Sequence, residues 1–191
     1  MNVITDILKR IEQLAIALLL LYRGDEHELR AASAALEMRR ALQGTGPIET
    51  PAGKVVLRMS QGVHSGAFDF FLVGSSFREL IMAGAAATHV HDVEGAANSG
   101  QIVVSEATAS ALPPRNLGSA KGPGRLLRGT LLPLGVSTQT AYEVKHDLAR
   151  FVPSALREPI ARGAVVSEHR PVTNAFIRFT GVDALLAEDP E

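Results

Sequence analysis

The stretch from Leu57 to Leu112 constrains the fold of this chain more than any other. It reads LRMSQGVHSG, then FDFFLVG, then RELIMAGAAATHVHDVEGAANSGQIVVSEATASAL. Alternation over Lys54 to Val63 predicts a strand, Phe68 to Val73 predicts another, and Arg78 to Ala83 a third, shorter one. Gly84 then opens a helix over Ala85 to Ala97. Asn98-Ser99-Gly100 ends it, because asparagine and glycine tolerate the left-handed cap. Gln101 to Ser105 returns as a strand, and Ser105 caps a short helix that Pro113-Pro114 stops.

On either side the signals are of mixed clarity. Ile4, Ile7, Leu8, Ile11, Leu14 and Ala15 recur at helical spacing, with Lys9, Arg10, Glu12 and Gln13 opposite, so an amphipathic first helix is expected. It runs into Leu18 to Tyr22, a buried strand by composition, although periodicity alone also allows a continuing helix. Asp25 is the expected N-cap of a next helix, whose stripe is Leu29, Ala32, Leu36 and Met38, with Arg39-Arg40 near its end and Gly44 beyond. Gly46 to Gly53 reads as a hairpin-like connection. From Pro113 to Gly135, proline and glycine predict extended or loop structure, and Thr140 to Val144 a last strand. Asp147 to Arg162 reads as a linker, helical in parts and broken at Pro153 and Pro159. Val172 to Phe179 alternates like a strand, with a helix starting near Asp183.

Composition narrows the function classes. A net charge of −1 supplies no global field to draw in nucleic acid or an anionic membrane. The absence of cysteine removes disulfides, thiol nucleophiles and cysteine-ligated metals, and fits a reducing, cytoplasmic setting. The longest apolar run, Leu14 to Tyr22, is far short of the roughly 20 residues a bilayer span requires. No signal peptide is read at the start.

The order of these segments resembles the core of class III nucleotidyl cyclase (adenylate/guanylate cyclase) homology domains. The resemblance rests on Gly62, His64, Gly66, Gly84, Glu94, Gly100, Ile102, Val104, Ser105, Thr108 and Leu112. It covers roughly residues 1–145. A second stretch, Ser167 to Leu186, resembles the opening of another such domain. The resemblance implies an α+β, ferredoxin-like domain with a mixed or antiparallel sheet and helices mainly on one face. It implies residues 1–145 as a partial domain, 146–166 as a linker, and 167–191 as the beginning of a second, truncated one. Val172 to Phe179 is then expected to pair at the edge left open where the first strand is missing.

The residues that carry chemistry in that family are replaced here. Its enzymes hold two metal ions with two aspartates. The strand bearing the first precedes the first helix, where this sequence begins, and Ala15-Ile16-Ala17 stands in place of the second. In the strand near the C-terminus the equivalent of the first aspartate is Arg178. The purine-selecting position carries Ile81, which cannot hydrogen-bond a base. The ribose-orienting asparagine is Thr88, and the phosphate-stabilising arginine is Asp92. A carboxylate facing a triphosphate inverts the electrostatics that the arginine supplies. No catalytic residue, metal site or cofactor is therefore expected.

Other motifs have plain readings. His89-Val90-His91-Asp92 has the composition of a metal cluster, but helical residues two apart point about 200° from each other, so surface histidines are expected. His64 fits a structural hydrogen bond at a strand end. Gly118 to Gly124 lacks the G-K-[ST] of a phosphate loop and reads as a flexible loop. Arg125, Arg128, Arg157 and Arg162 have no interleaved aromatics, so no nucleic-acid surface is expected.

The expected function is a degenerate cyclase homology domain serving as a regulatory or dimerisation module in cyclic-nucleotide signalling. Its partner would be another such domain or a second copy, with no membrane or nucleic acid involved. The alternative is a nucleotidyl cyclase forming cyclic AMP or cyclic GMP, active only with a partner domain and Mg²⁺ or Mn²⁺. A third possibility is a fragment with no role of its own.

Overall fold

The computed structural model describes residues 26–131, 147–163 and 180–188. The expected elements at Ile4 to Ala15, Leu18 to Tyr22, Thr140 to Val144 and Val172 to Phe179 lie outside these residues.

The centre of the fold is a mixed four-stranded sheet in the order β3-β6-β8-β7, formed by β3 (Gln61–Val63), β6 (Ile102–Ser105), β7 (Leu117–Lys121) and β8 (Gly124–Leu127). β3 and β6 are parallel, with Gln61, Gly62 and Val63 opposite Ile102, Val103 and Val104, while β8 runs antiparallel to both β6 and β7. All four residues of β6 are buried, as expected for a central strand covered on both faces.

Side chains alternate across a strand, so the β3–β6 pair has two distinct faces. Ile102 and Val104 face helix α1 (His27–Gly44), packing with its Ala32, Ala35 and Leu36 and with Ala109, Leu112, Leu127 and Leu131. Helix α3 (Glu106–Ser110) shares that face through Ala109. Gly62, of opposite parity, faces helix α2 (Ala85–Gly95), so two of these three helices lie on one side and α2 on the other. The fold is α+β with a mixed sheet, as the element order implies.

Two hairpins stand apart from this sheet. β1 (Pro47–Thr50) and β2 (Gly53–Val56) form the first, its turn closed by the Thr50 hydroxyl, which donates to the Gly53 carbonyl at 2.7 Å. The run Lys54 to Val63, expected as one strand, is therefore two: β2 pairs with β1, and only Gln61–Val63 joins the central sheet. β4 (Asp69–Val73) and β5 (Glu79–Ala83) form the second hairpin, with Phe70 opposite Met82, Phe71 opposite Ile81 and Leu72 opposite Leu80.

Other differences from expectation have local causes. The cap of α1 is Glu26, at φ 69°, and Gly44 is its last helical residue, the left-handed turn falling on Gly46. Gly118 to Gly124 is no flexible loop: it forms β7 and its turn into β8, because Gly122 takes φ 55° and lets Lys121 pair with Gly124. Pro159 does not break the chain but sits inside helix α4 (Ser154–Ala161). At the sixth position of a short helix it forgoes one bond, to the Ala155 carbonyl. Pro153 does separate that helix from the 3₁₀ turn Leu148–Phe151. Helix α5 (Val182–Glu188) starts within one residue of Asp183, as expected. Among the described residues no helix is long and apolar enough to cross a membrane.

Contact between β3 and α2 requires a glycine. A Cβ built on Gly62 would lie 2.5 Å from the Glu94 backbone nitrogen and 2.7 Å from its Cα, where no flexible side chain can yield. Gly62→Ala is expected to cost about 3 kcal/mol by forcing α2 off the sheet, measured by urea unfolding. Gly44→Ala, with nothing within 4 Å, is expected to be neutral or to stabilise by about 0.5–1 kcal/mol.

Candidate functional site

The end of β3, the start of α3 and the middle of α2 converge on a polar cluster. Ser105 ends β6 in extended conformation, and its hydroxyl accepts from the Thr108 backbone N–H at 3.2 Å, capping α3. His64 Nδ1 lies 2.9 Å from the same oxygen, and Thr108 Oγ1 lies 3.1 Å from it. Thr108 Oγ1 in turn donates to Ser65 Oγ at 3.3 Å. Ser105 and Thr108 are wholly buried, so every donor and acceptor there needs a partner.

Counting protons fixes the roles. Thr108 spends its hydroxyl proton on Ser65, so the Ser105 hydroxyl donates to Thr108 Oγ1. Ser105 Oγ then has two lone pairs, one taken by the Thr108 N–H and the other by His64, which must donate from Nδ1–H. His64 thus acts on Ser105 as a donor and not as a base. A buried serine whose own proton is committed elsewhere is no nucleophile, and the cluster does not form a serine–histidine catalytic pair.

His89 reaches this cluster from α2. Its ring centre is 4.7 Å from that of His64, at an interplanar angle of 68°, and the Phe68 ring is 5.8 Å away on another side. Burial, and secondarily the proximity of His89, hold His64 below the usual histidine pKa. His64 makes the structural hydrogen bond expected of it. His89 is not the surface residue expected: it is partly buried against His64, while His91 is exposed. Helical spacing separates the two, as the sequence reading anticipated. Gly66 completes the pocket, since a Cβ there would come within 2.8 Å of His64 Nε2.

The three positions singled out by sequence lie beside this cluster and not within it. Ile81 sits on β5 opposite Phe71 and is 42% exposed. Thr88 and Asp92, four residues apart, share an exposed face of α2. Gly84 begins that helix at φ 87°, with the Asp69 carboxylate 2.4 Å from where its Cβ would stand and Leu186 of α5 at 3.7 Å. Among the described residues no three His, Asp or Glu side chains gather closely enough to hold a metal ion. The pairing of His64 with Ser105 spans 41 residues and had no local signal, whereas Ser105 as a helix cap was visible in the sequence.

No family model matches the chain, and no curated protein matches it. Among solved structures it is similar to the guanylate cyclase domain of RhGC from Catenaria anguillulae, determined in complex with GTP. That likeness has 18% identity and a TM-score of 0.43, and covers 55% of this chain and 61% of that one. The chain therefore spans less than two thirds of that solved domain.

Replacing Ser105 by alanine removes the cap and leaves Thr108 and His64 short of a partner, and about 1–3 kcal/mol of stability is expected to go with it in urea unfolding. The pH dependence follows from the lowered His64 pKa. The unfolded chain takes up this proton first, so the His64 contribution to stability falls as pH drops below about 6.5 and on through the folded-state value. In His89→Gln, His64 is expected to titrate at higher pH by NMR. An unchanged titration would show that the two rings are not coupled.

Proposed function

We propose that this chain is a catalytically degenerate cyclase homology module that works by association, with a second copy or with another domain of the same kind. One observation carries the reading: the β4–β5 hairpin is apolar on both faces, and its large side chains are only partly covered among the described residues. Phe70, Phe71, Leu72, Val73, Leu80 and Ile81 are each 37–57% exposed. Large apolar side chains contiguous on a two-stranded sheet are costly to leave in water, and a paired partner removes that cost. Both outer edges of the hairpin also carry backbone donors and acceptors without a strand partner among the described residues, which favours sheet extension.

The absence of turnover is supported by residue chemistry. Thr88 lacks the amide of the family's asparagine, Asp92 puts negative charge where positive charge is needed, and Ile81 offers a base no hydrogen bond. Loss of one such group commonly costs about 10²–10³ in rate. A role in cyclic-nucleotide signalling would then lie in scaffolding or regulating an active partner domain.

Two measurements separate association from catalysis. Incubation with ATP or GTP and Mn²⁺ is expected to give no cyclic nucleotide above a protein-free blank, and Asp92→Arg combined with Thr88→Asn is expected to remain inactive. Cyclic nucleotide formation would establish the enzymatic alternative. Sedimentation velocity at micromolar concentration is expected to show a dimer or larger species that Leu80→Glu, at an exposed position, returns to monomer. A monomeric parent chain would remove the self-association reading.

A further inference from the structure

The segment 147–163 is tied to the tip of the β4–β5 hairpin by polar bonds. The Arg78 backbone N–H donates to the Arg150 carbonyl at 2.7 Å, and Arg157 Nη2 donates to the Ser76 carbonyl at 2.7 Å. The same guanidinium donates through Nε to the Val152 carbonyl at 2.9 Å, joining α4 to the residue before Pro153. This attachment inverts the usual arrangement of a surface helix, which buries its apolar stripe and leaves its charges in water. Here the half-buried Arg157 reaches the hairpin, while Leu156 and Ile160, four residues apart on one side of α4, stay exposed. Leu148 and Phe151 of the preceding 3₁₀ turn are exposed as well, so four large apolar side chains of the segment are 45–61% in water. No residue of that turn or of α4 is buried.

The segment adjoins one face of the hairpin. Cross-strand partners share a face, so Leu72 and Leu80 lie on the same side as Phe70 and Met82. Phe151 lines the same shallow depression as Leu72. The area of this face decides what the hairpin needs. At roughly 200 Å² for a large apolar residue, its exposed side chains Phe70, Leu72 and Leu80 present about 300 Å². A stable interface buries about 800 Å² on each partner. On the same basis the four apolar side chains of segment 147–163 add about 400 Å², which brings the surface close to the size that a dimer buries.

We propose that segment 147–163 is part of the surface through which two copies of this chain associate, with Phe151, Leu156 and Ile160 covered by the second copy together with Leu72 and Leu80. The inference rests on the association reading above and extends it from the hairpin to a segment that reads in sequence as a linker. A two-fold axis lets one apolar surface cover its own counterpart, so a second copy satisfies both chains at once. The charges of the segment suit a like partner. Arg162 pairs with Glu158 and Arg157 is committed to carbonyls, so no block of one sign meets itself across the axis.

Sedimentation velocity of the full chain over a concentration series tests this. Leu156→Glu combined with Ile160→Glu is expected to weaken dimerisation about 10-fold or more, because it places two carboxylates in an apolar contact. Leu185→Glu on α5, at a position just as exposed, is expected to leave it unchanged. The chain has no cysteine, so Ile160→Cys accepts a single spin label. Its paramagnetic resonance spectrum is expected to show an immobilised component that is lost on dilution to monomer, whereas the same label at Leu185→Cys stays mobile throughout. A monomeric parent chain would remove the association reading and this extension with it. A parent dimer that Leu80→Glu dissociates but the Leu156 and Ile160 double variant leaves intact would overturn the extension alone. Equal weakening by Leu185→Glu, or an Ile160 label indifferent to concentration, would do the same.

Discussion

The close approach of α2 to β3 at Gly62 is the constraint on which the rest of the structure hangs. Parallel pairing of β3 with β6 requires the chain to leave the sheet, cross over and return, and α2 makes that crossing. With a Cβ position only 2.5 Å from the helix backbone, glycine is what lets the helix seat directly on the strand. Seating α2 there carries His89 to His64 and buries Val103 and Val93. The β4–β5 hairpin lies within the same crossover, between β3 and α2. It is an excursion from the connection and is not hydrogen-bonded into the four-stranded sheet among the described residues, which explains how so apolar a hairpin comes to be exposed.

The second anchor is Ser105. One hydroxyl ends a central strand, caps the next helix and accepts from the histidine that immediately follows the neighbouring strand. That convergence turns a group with the composition of a catalytic pair into a structural joint. The proton count leaves the hydroxyl committed to Thr108 and the imidazole donating.

Much of the architecture was legible because its signals are local. The strands at Phe68 to Val73 and Gln101 to Ser105, the helix opened by Gly84, and Ser105 as a cap each follow from periodicity or a side chain bonding its own neighbours. Errors arose where a partner overrode a local pattern. Lys54 to Val63 alternates without interruption, yet β2 and β3 pair with different neighbours and the run divides. The glycine-rich Gly118 to Gly124 carried a loop signature, but β8 lies beside β6 and β7 beside β8, and Gly122 supplies only the turn.

The sequence by itself determined the element order, the glycines where backbones meet, and the side-chain chemistry at Ile81, Thr88 and Asp92, because these depend on residue type and short spacing. Tertiary structure alone decided that His89 faces His64, that His64 donates to Ser105, and that the Arg78 N–H donates to the Arg150 carbonyl. Those pairs join residues 25, 41 and 72 positions apart, and the pairing of distant segments is set by how the whole core closes, which no local pattern encodes.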